Sequence, residues 1–377
     1  MTKQYDSTGR RAFLAGSAAI GTAGLAGCTG LIGSEEEDED GGNVFNQIGS
    51  GRAGRGTPGG TPMAELPDLE GELHIYSGRN EFLVGTLISS LVDEYDDFEV
   101  VGPRYGGSAD LANQMVEAGS GTDADVFFTV DSAALGEVAS EGLARSLSDD
   151  VLEMVPSEFR TDQWIGTSGR IRTIPYNTEE YSESDLPTSI DAYADFEGDL
   201  GWAPSYGSCQ SFVTAMRILQ GEEETREWLQ SVVDNGIQSY PDELAVCQAV
   251  ADGEIDAGFT NHYYIQRVLE GSPDAPIATT FTEGDAGATF DVAGATVIDS
   301  TDVPDLAENF IRHLLSAEAQ EFFAVETFEY PLIPEAEPVG DLPSIDELNV
   351  PEDIDLTELS DLQPTIDLMR SIDGISI

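Results

Sequence analysis

The chain has 377 residues, enough for two domain-sized cores, and its 40% hydrophobic and 8% aromatic content excludes global disorder. Its 72 acidic residues face 16 basic ones, a formal net charge of −56, and this excludes nucleic acid, whose phosphates need a basic footprint. The acidity is spread along the chain, which reads as adaptation to a very salty medium, where the Debye length falls to about 3 Å at 1 M salt and self-repulsion is screened.

At the start, Arg10-Arg11 precede Ala12, Phe13 and Leu14, and a small-residue apolar run continues to Gly27. Twin arginines before a short apolar stretch match a Tat-type export signal. The run has roughly 15 residues, short of the 20 or so needed to span a bilayer. It ends in Leu25-Ala26-Gly27-Cys28, which resembles a lipoprotein cleavage box with Cys28 as the point of lipid attachment; the other reading is a plain cleaved signal with an incidental cysteine. Residues 1–28 are therefore expected to be a signal. Residues 29–70 follow as a flexible acidic and Gly-rich tether, containing the run Glu35 to Asp40, too poor in apolar groups to offset its chain entropy.

From Gly71 the pattern changes. Glu72 to Tyr76 alternates as a strand, Glu81 to Tyr95 has helical spacing, and Phe98 to Val101 is a second strand. Ala109 to Ala118 reads as a helix and Ala124 to Val130 as a short buried strand ending at Asp131. Alternating strands and helices predict parallel βαβ units, with ligands bound beyond the carboxyl ends of strands. Farther on, Gly201 to Ala203 is a strand, and Ser208 is the expected cap of a helix carrying Phe212, Met216 and Leu219. Helices follow over Glu222 to Val233 and Glu243 to Asp252. The strand Ile255 to Thr260 delivers Asn261-His262-Tyr263-Tyr264 at a helix start. Val292 to Ile298 is a strand, Pro304 to Glu326 holds two helices, and Thr365 to Ser371 a last one.

Two adjacent tyrosines at a helix start lie about 100° apart, so their hydroxyls can converge on one site. Phenols are poor ligands for weakly charged metals, but a trivalent cation drives their deprotonation, and Fe(III) is the biological ion best matched to a pair of phenolates. The other reading of Tyr263 and Tyr264 is a buried aromatic pair. With three histidines, no nucleophile elbow and no phosphate-cradling glycine loop, the chain is expected not to be an enzyme. Cys209 and Cys247 are open to either a disulfide or buried free thiols.

Six blocks of sequence, taken in order, carry a resemblance. They are Tyr76-Ser77-Gly78-Arg79, Asp125-Val126-Phe127-Phe128, Ser168 to Arg172, Trp202-Ala203-Pro204, Gly253 to Asp256, and Asn261 to Tyr264. Together they are similar to the family 1 extracellular solute-binding proteins of ABC importers, and most to the ferric-ion-binding periplasmic type. The resemblance implies an α/β fold of the periplasmic-binding-protein type II, two lobes with a hinge and a ligand cleft: 71–170 plus 294–344, and 171–293 plus 345–377. It implies a monomer on the outer face of the cell membrane that captures Fe(III) with a synergistic anion such as carbonate and passes it to an ABC permease. Tyr263 and Tyr264 stand where the family has its iron tyrosines, and Tyr206 is a candidate third ligand or a ring lining the cleft. Asn80 occupies the place of a histidine ligand and Val130 that of a glutamate ligand, so those donors are missing. Arg170 and Arg172 resemble the anion-contacting arginines, with the Gly207-Ser208 helix start beside them as an anion site; for Arg172 a hinge salt bridge is equally compatible. Asn80, Asp131 and Asn261 line the cleft, Arg79 pairs with Glu81 at its rim, and His262 packs or caps. A small anionic or organic solute in the same cleft is the alternative to iron.

Overall fold

Ile165–Asn177 is a 13-residue strand with nearly every residue buried, and the rest of the sheet is arranged on either end of it. In the computed structural model, residues 55–56, 58–351 and 354–377 are described, so the expected signal at 1–28, Cys28 and the acidic run at 35–40 lie outside the described residues. The first half of the long strand pairs antiparallel with Phe290–Val297, from Phe290 opposite Ile171 to Ala295 opposite Ile165. Beyond it, Val126–Thr129, Ile75–Ser77 and Arg104–Tyr105 complete one side of the sheet, the last three joined in parallel. The second half pairs with Thr260–Asn261, with Ile277–Thr280 and, at Tyr176, with Ala257–Gly258. Leu200–Trp202 and Gln238–Ser239 extend that side in parallel. The parallel units expected from the alternation are present on both sides, and antiparallel strands stitch them together.

Each side has its own core. The first draws on Leu73, Leu87, Leu91, Phe127, Phe128, Ile165, Phe290 and Phe310. The second is built on Trp202, Phe212, Met216, Trp228 and Phe259, with Phe212 and Phe259 stacked at 5.7 Å and Trp228 set edge-on to both. A smaller cluster of Val246, Cys247, Val250, Ile255, Tyr264, Ile265 and Ile277 packs beneath the helices Glu243–Ala251 and His262–Gly271. The change from first to second core falls between Ile171 and Ile174 on the long strand. The return comes at Ala288 and Phe290, earlier than the expected 294, because Phe290–Val297 pairs with the first half of the long strand from its first residue, Phe290 opposite Ile171. Gly169 makes this pairing possible: a Cβ there would stand 2.1 Å from the Phe290 ring.

The expected tether also ends sooner than residue 70. Met63 and Leu69 are buried in the first core, and Arg55 grips the Glu321 carboxylate at 2.7 and 3.1 Å. These two side chains and the ion pair tie the arm to the first side. At the other end, Leu359, Leu368, Met369 and Ile372 join the second core, the last three around the helix Leu362–Arg370. Cys209 and Cys247 are free, buried thiols, and burial pushes the Cys209 thiol up to about 12.

Arg79 departs from expectation. It does not pair with Glu81 at a rim but is wholly buried between the rings of Phe128 and Phe323, at 5.3 and 5.1 Å. Its guanidinium donates to Ser168 Oγ at 2.9 Å and to Glu329 Oε2 at 2.5 Å. Glu329 is delivered by a π-helical turn, Phe323–Thr327, that ends with Phe328 in the left-handed region at φ 59. Although burial works the other way, Arg79 pulls the Glu329 carboxyl below its ordinary range. Breaking one side of a buried pair strands the other charge, so Arg79→Met should cost about 3–5 kcal/mol in denaturant unfolding. Adding Glu329→Gln to that variant should recover part of the loss, which a double-mutant cycle would measure.

Candidate metal centre

The site begins with a ladder position. Asn261 lies opposite Arg172 on the long strand, and the helix His262–Gly271 starts at the next residue. His262 anchors that start: it is wholly buried, its Nδ1 accepts from the Ile171 N–H at 3.3 Å, and its Nε2–H donates to the Phe328 carbonyl at 2.8 Å. Packing is its role, as expected. With the helix origin held between the two cores, Tyr263 and Tyr264 in its first turn have fixed directions.

Their rings lie 4.5 Å apart. The Tyr264 ring is 6% exposed and belongs to the small apolar cluster, but its hydroxyl emerges to meet that of Tyr206 at 2.8 Å. Tyr206 is 36% exposed and precedes the helix Gly207–Gln220. Asn261 Nδ2 donates to the Tyr263 hydroxyl at 3.0 Å and so fixes the half-buried phenol. Arg267, one turn along, lies over both rings at 5.1 and 5.3 Å. The structure thus brings Tyr206, Tyr263 and Tyr264 into one group, and the pair is not a sealed aromatic filling.

Burial, foremost, raises the pKa of Tyr263 and Tyr264 above the ordinary phenol value; Glu243 adds to it in both. Without a cation these two phenols are therefore neutral. Two buried phenols that do not ionise unaided, with the Tyr206 hydroxyl beside them, suit a cation of high charge, which can displace their protons.

The expected anion contacts are otherwise engaged. Arg170 is paired with Asp291 and also donates to the Val130 carbonyl. Arg172 is in the salt bridge that was one of its two readings, with its Nη1 2.5 Å from Glu243 Oε1 and 3.2 Å from Asn261 Oδ1. Ser208 does not cap: Tyr206 holds the cap position without a side-chain bond, and the Ser208 hydroxyl donates to Glu243 Oε1 at 2.6 Å. Gly207 is exposed beside it. On the first side, Asp131 caps the helix Ser132–Ser140 by accepting from the Ala134 N–H at 2.9 Å. Asn80 stands exposed at the start of Glu81–Glu94 with no side-chain cap bond.

Glu243, Asp291, Glu329 and Arg267 were not singled out by sequence reasoning. A carboxylate opening a helix, as Glu243 does, is ordinary in a sequence. Only the tertiary contacts show that this one is wholly buried. Asp291 carried a weak signal, a lone acid at the edge of an apolar strand.

The model of the bacterial extracellular solute-binding protein family matches residues 94–348. The chain is 32% identical over 252 residues to the major ferric iron-binding protein of Neisseria meningitidis, covering 64% of this chain and 76% of that one. It is 31% identical over 277 residues to the Fe(3+)-binding periplasmic protein of Serratia marcescens, with coverage of 71% and 80%. Iron-bound HitA from Pseudomonas aeruginosa superposes with a TM-score of 0.69 at 28% identity, over 80% of this chain and 99% of that one.

Burial pushes the His262 pKa from 6.5 down to about 4. The folded value is the lower one, so on acidification the unfolded chain takes up the proton first. The stabilisation is complete above about pH 6.5 and is lost between about pH 6.5 and 4, at up to about 1.4 kcal/mol per pH unit. Urea midpoints measured across that window should fall more gently in His262→Gln than in the parent.

Proposed function

The chain belongs to the bacterial extracellular solute-binding protein family, and on that premise we propose that it captures Fe(III) outside the cell and delivers it to the permease of an ABC importer. The observation that carries this reading is the convergence of Tyr206, Tyr263 and Tyr264, with the Tyr206 and Tyr264 hydroxyls 2.8 Å apart and Tyr263 held from Asn261. Relatives named for ferric iron binding support it. The chain binds and releases its cargo and does not turn it over.

Fe(III) arrives at the tyrosines and each phenol that ligates it gives up one proton. Closure of the two sides about the crossing strand would exclude water and bring the surroundings of Asn80 and Asp131 over the ion. A trivalent ion also calls for an anion beside the phenolates to balance its charge. Release follows when docking on the permease reopens the cleft, or when protonation or reduction weakens the phenolate bonds. Export by the twin-arginine signal and lipid attachment at Cys28 would hold this monomer at the membrane surface, and the excess of acid suits salty surroundings.

Ferric titration of the purified protein tests the reading, since Fe(III)–phenolate complexes absorb in the visible. A band should appear at one ion per chain, with about two to three protons released for each ion, one per ligating phenol. Tyr263→Phe and Tyr264→Phe should each weaken loading by at least about tenfold, and Tyr206→Phe by less. An unchanged band in the Tyr263→Phe/Tyr264→Phe double variant would sink the iron assignment.

A further inference from the structure

Three donors from separate elements converge on one internal group. Arg172 Nη1 and the Ser208 hydroxyl donate to Glu243 Oε1, at 2.5 and 2.6 Å, and the Asn261 backbone N–H donates to Oε2 at 2.9 Å. Gly207 and Ser208 open the helix whose N-terminus would otherwise draw an anion. The carboxylate is wholly buried. It comes from a separate element, as the first residue of Glu243–Ala251, with Asp242 serving as that helix's cap.

We propose that Glu243 fills the anion subsite of this protein: its carboxylate takes the donors an external anion would use, and no external anion is needed. This deepens the ferric reading and rests on it. An ordinary buried ion pair would need only Arg172 and a carboxylate. Here the carboxylate gathers donors from the crossing strand, from the head of the Gly207–Gln220 helix and from Asn261, two residues before the first tyrosine. An incoming anion would find these donors taken and a negative charge in its place. The same network reaches the phenols: Arg172 Nη1 donates to Asn261 Oδ1, and Asn261 Nδ2 donates to the Tyr263 hydroxyl. The empty site is therefore neutralised and in register before any cargo arrives. One donor stays over, the buried Nη2 of Arg172, which has no partner among the described residues.

The test uses iron-free full-length protein at constant sodium chloride, titrated with inorganic phosphate and, separately, bicarbonate, followed by calorimetry. The parent should show no saturable binding. Glu243→Ala should bind phosphate at least about tenfold more tightly than the parent, because a buried guanidinium is left without its counter-charge. Glu243→Gln keeps the shape and should gain binding in the same direction, which guards against a misfolded alanine variant. Saturable phosphate binding by the parent, as tight as in either variant, would overturn the proposal. A second arm loads Fe(III) in bicarbonate-free buffer. The parent should give the same visible band with and without added bicarbonate, while Glu243→Gln should need it, and a parent band that depends on bicarbonate overturns the proposal. If no band forms under any condition, the ferric reading fails, and the phosphate titration still decides what occupies the subsite.

Discussion

A strand that runs from one core into another here carries two arginines two residues apart, and each must meet a carboxylate before the chain can close around it. Alternation along a strand sets Arg170 and Arg172 on the same face. Asp291 answers the first from the neighbouring strand, and Glu243 answers the second from a helix on the far side. Burying either guanidinium alone would cost several kcal/mol, so the pairs constrain how the elements can assemble even where their net contribution is small. Arg79 and Glu329 repeat the arrangement inside the first core.

The tyrosine site inherits its geometry from this crossing. Because Asn261 pairs with Arg172 in the ladder, the helix that follows must begin beside the strand, and its first turn must present Tyr263 and Tyr264 there. His262 ties the same turn to backbone groups of the strand and of Phe328. Phe328 adopts a left-handed conformation that is rare for a bulky residue, and its carbonyl is what His262 holds. Three separate stretches of chain therefore agree on where two phenols point.

The composition takes on a second meaning at this scale. An excess of 72 acids over 16 bases is usually a matter of surface and solvent. Inside the molecule it means that a carboxylate is available wherever an arginine is buried. Arginine suits these places, since its fork of donors can serve several acceptors at once, as Arg172 does with Glu243 and Asn261 while lying 5.2 Å from the Phe212 ring.

Much of the fold was legible along the chain. The strand at Val126–Thr129, the helices Ser108–Ala118, Glu222–Asp234 and Glu243–Ala251, and the tyrosines at a helix start all follow from hydrophobic period and local signals, which neighbouring residues carry by themselves. Which charges meet was not legible. Arg79 with Glu329 and Arg172 with Glu243 are separated by 250 and 71 residues, and nothing local distinguishes those acids from dozens of others. The identities of the donors were thus a property of the sequence. Their partners were decided only when folding removed water and left each buried charge to find the one group within reach.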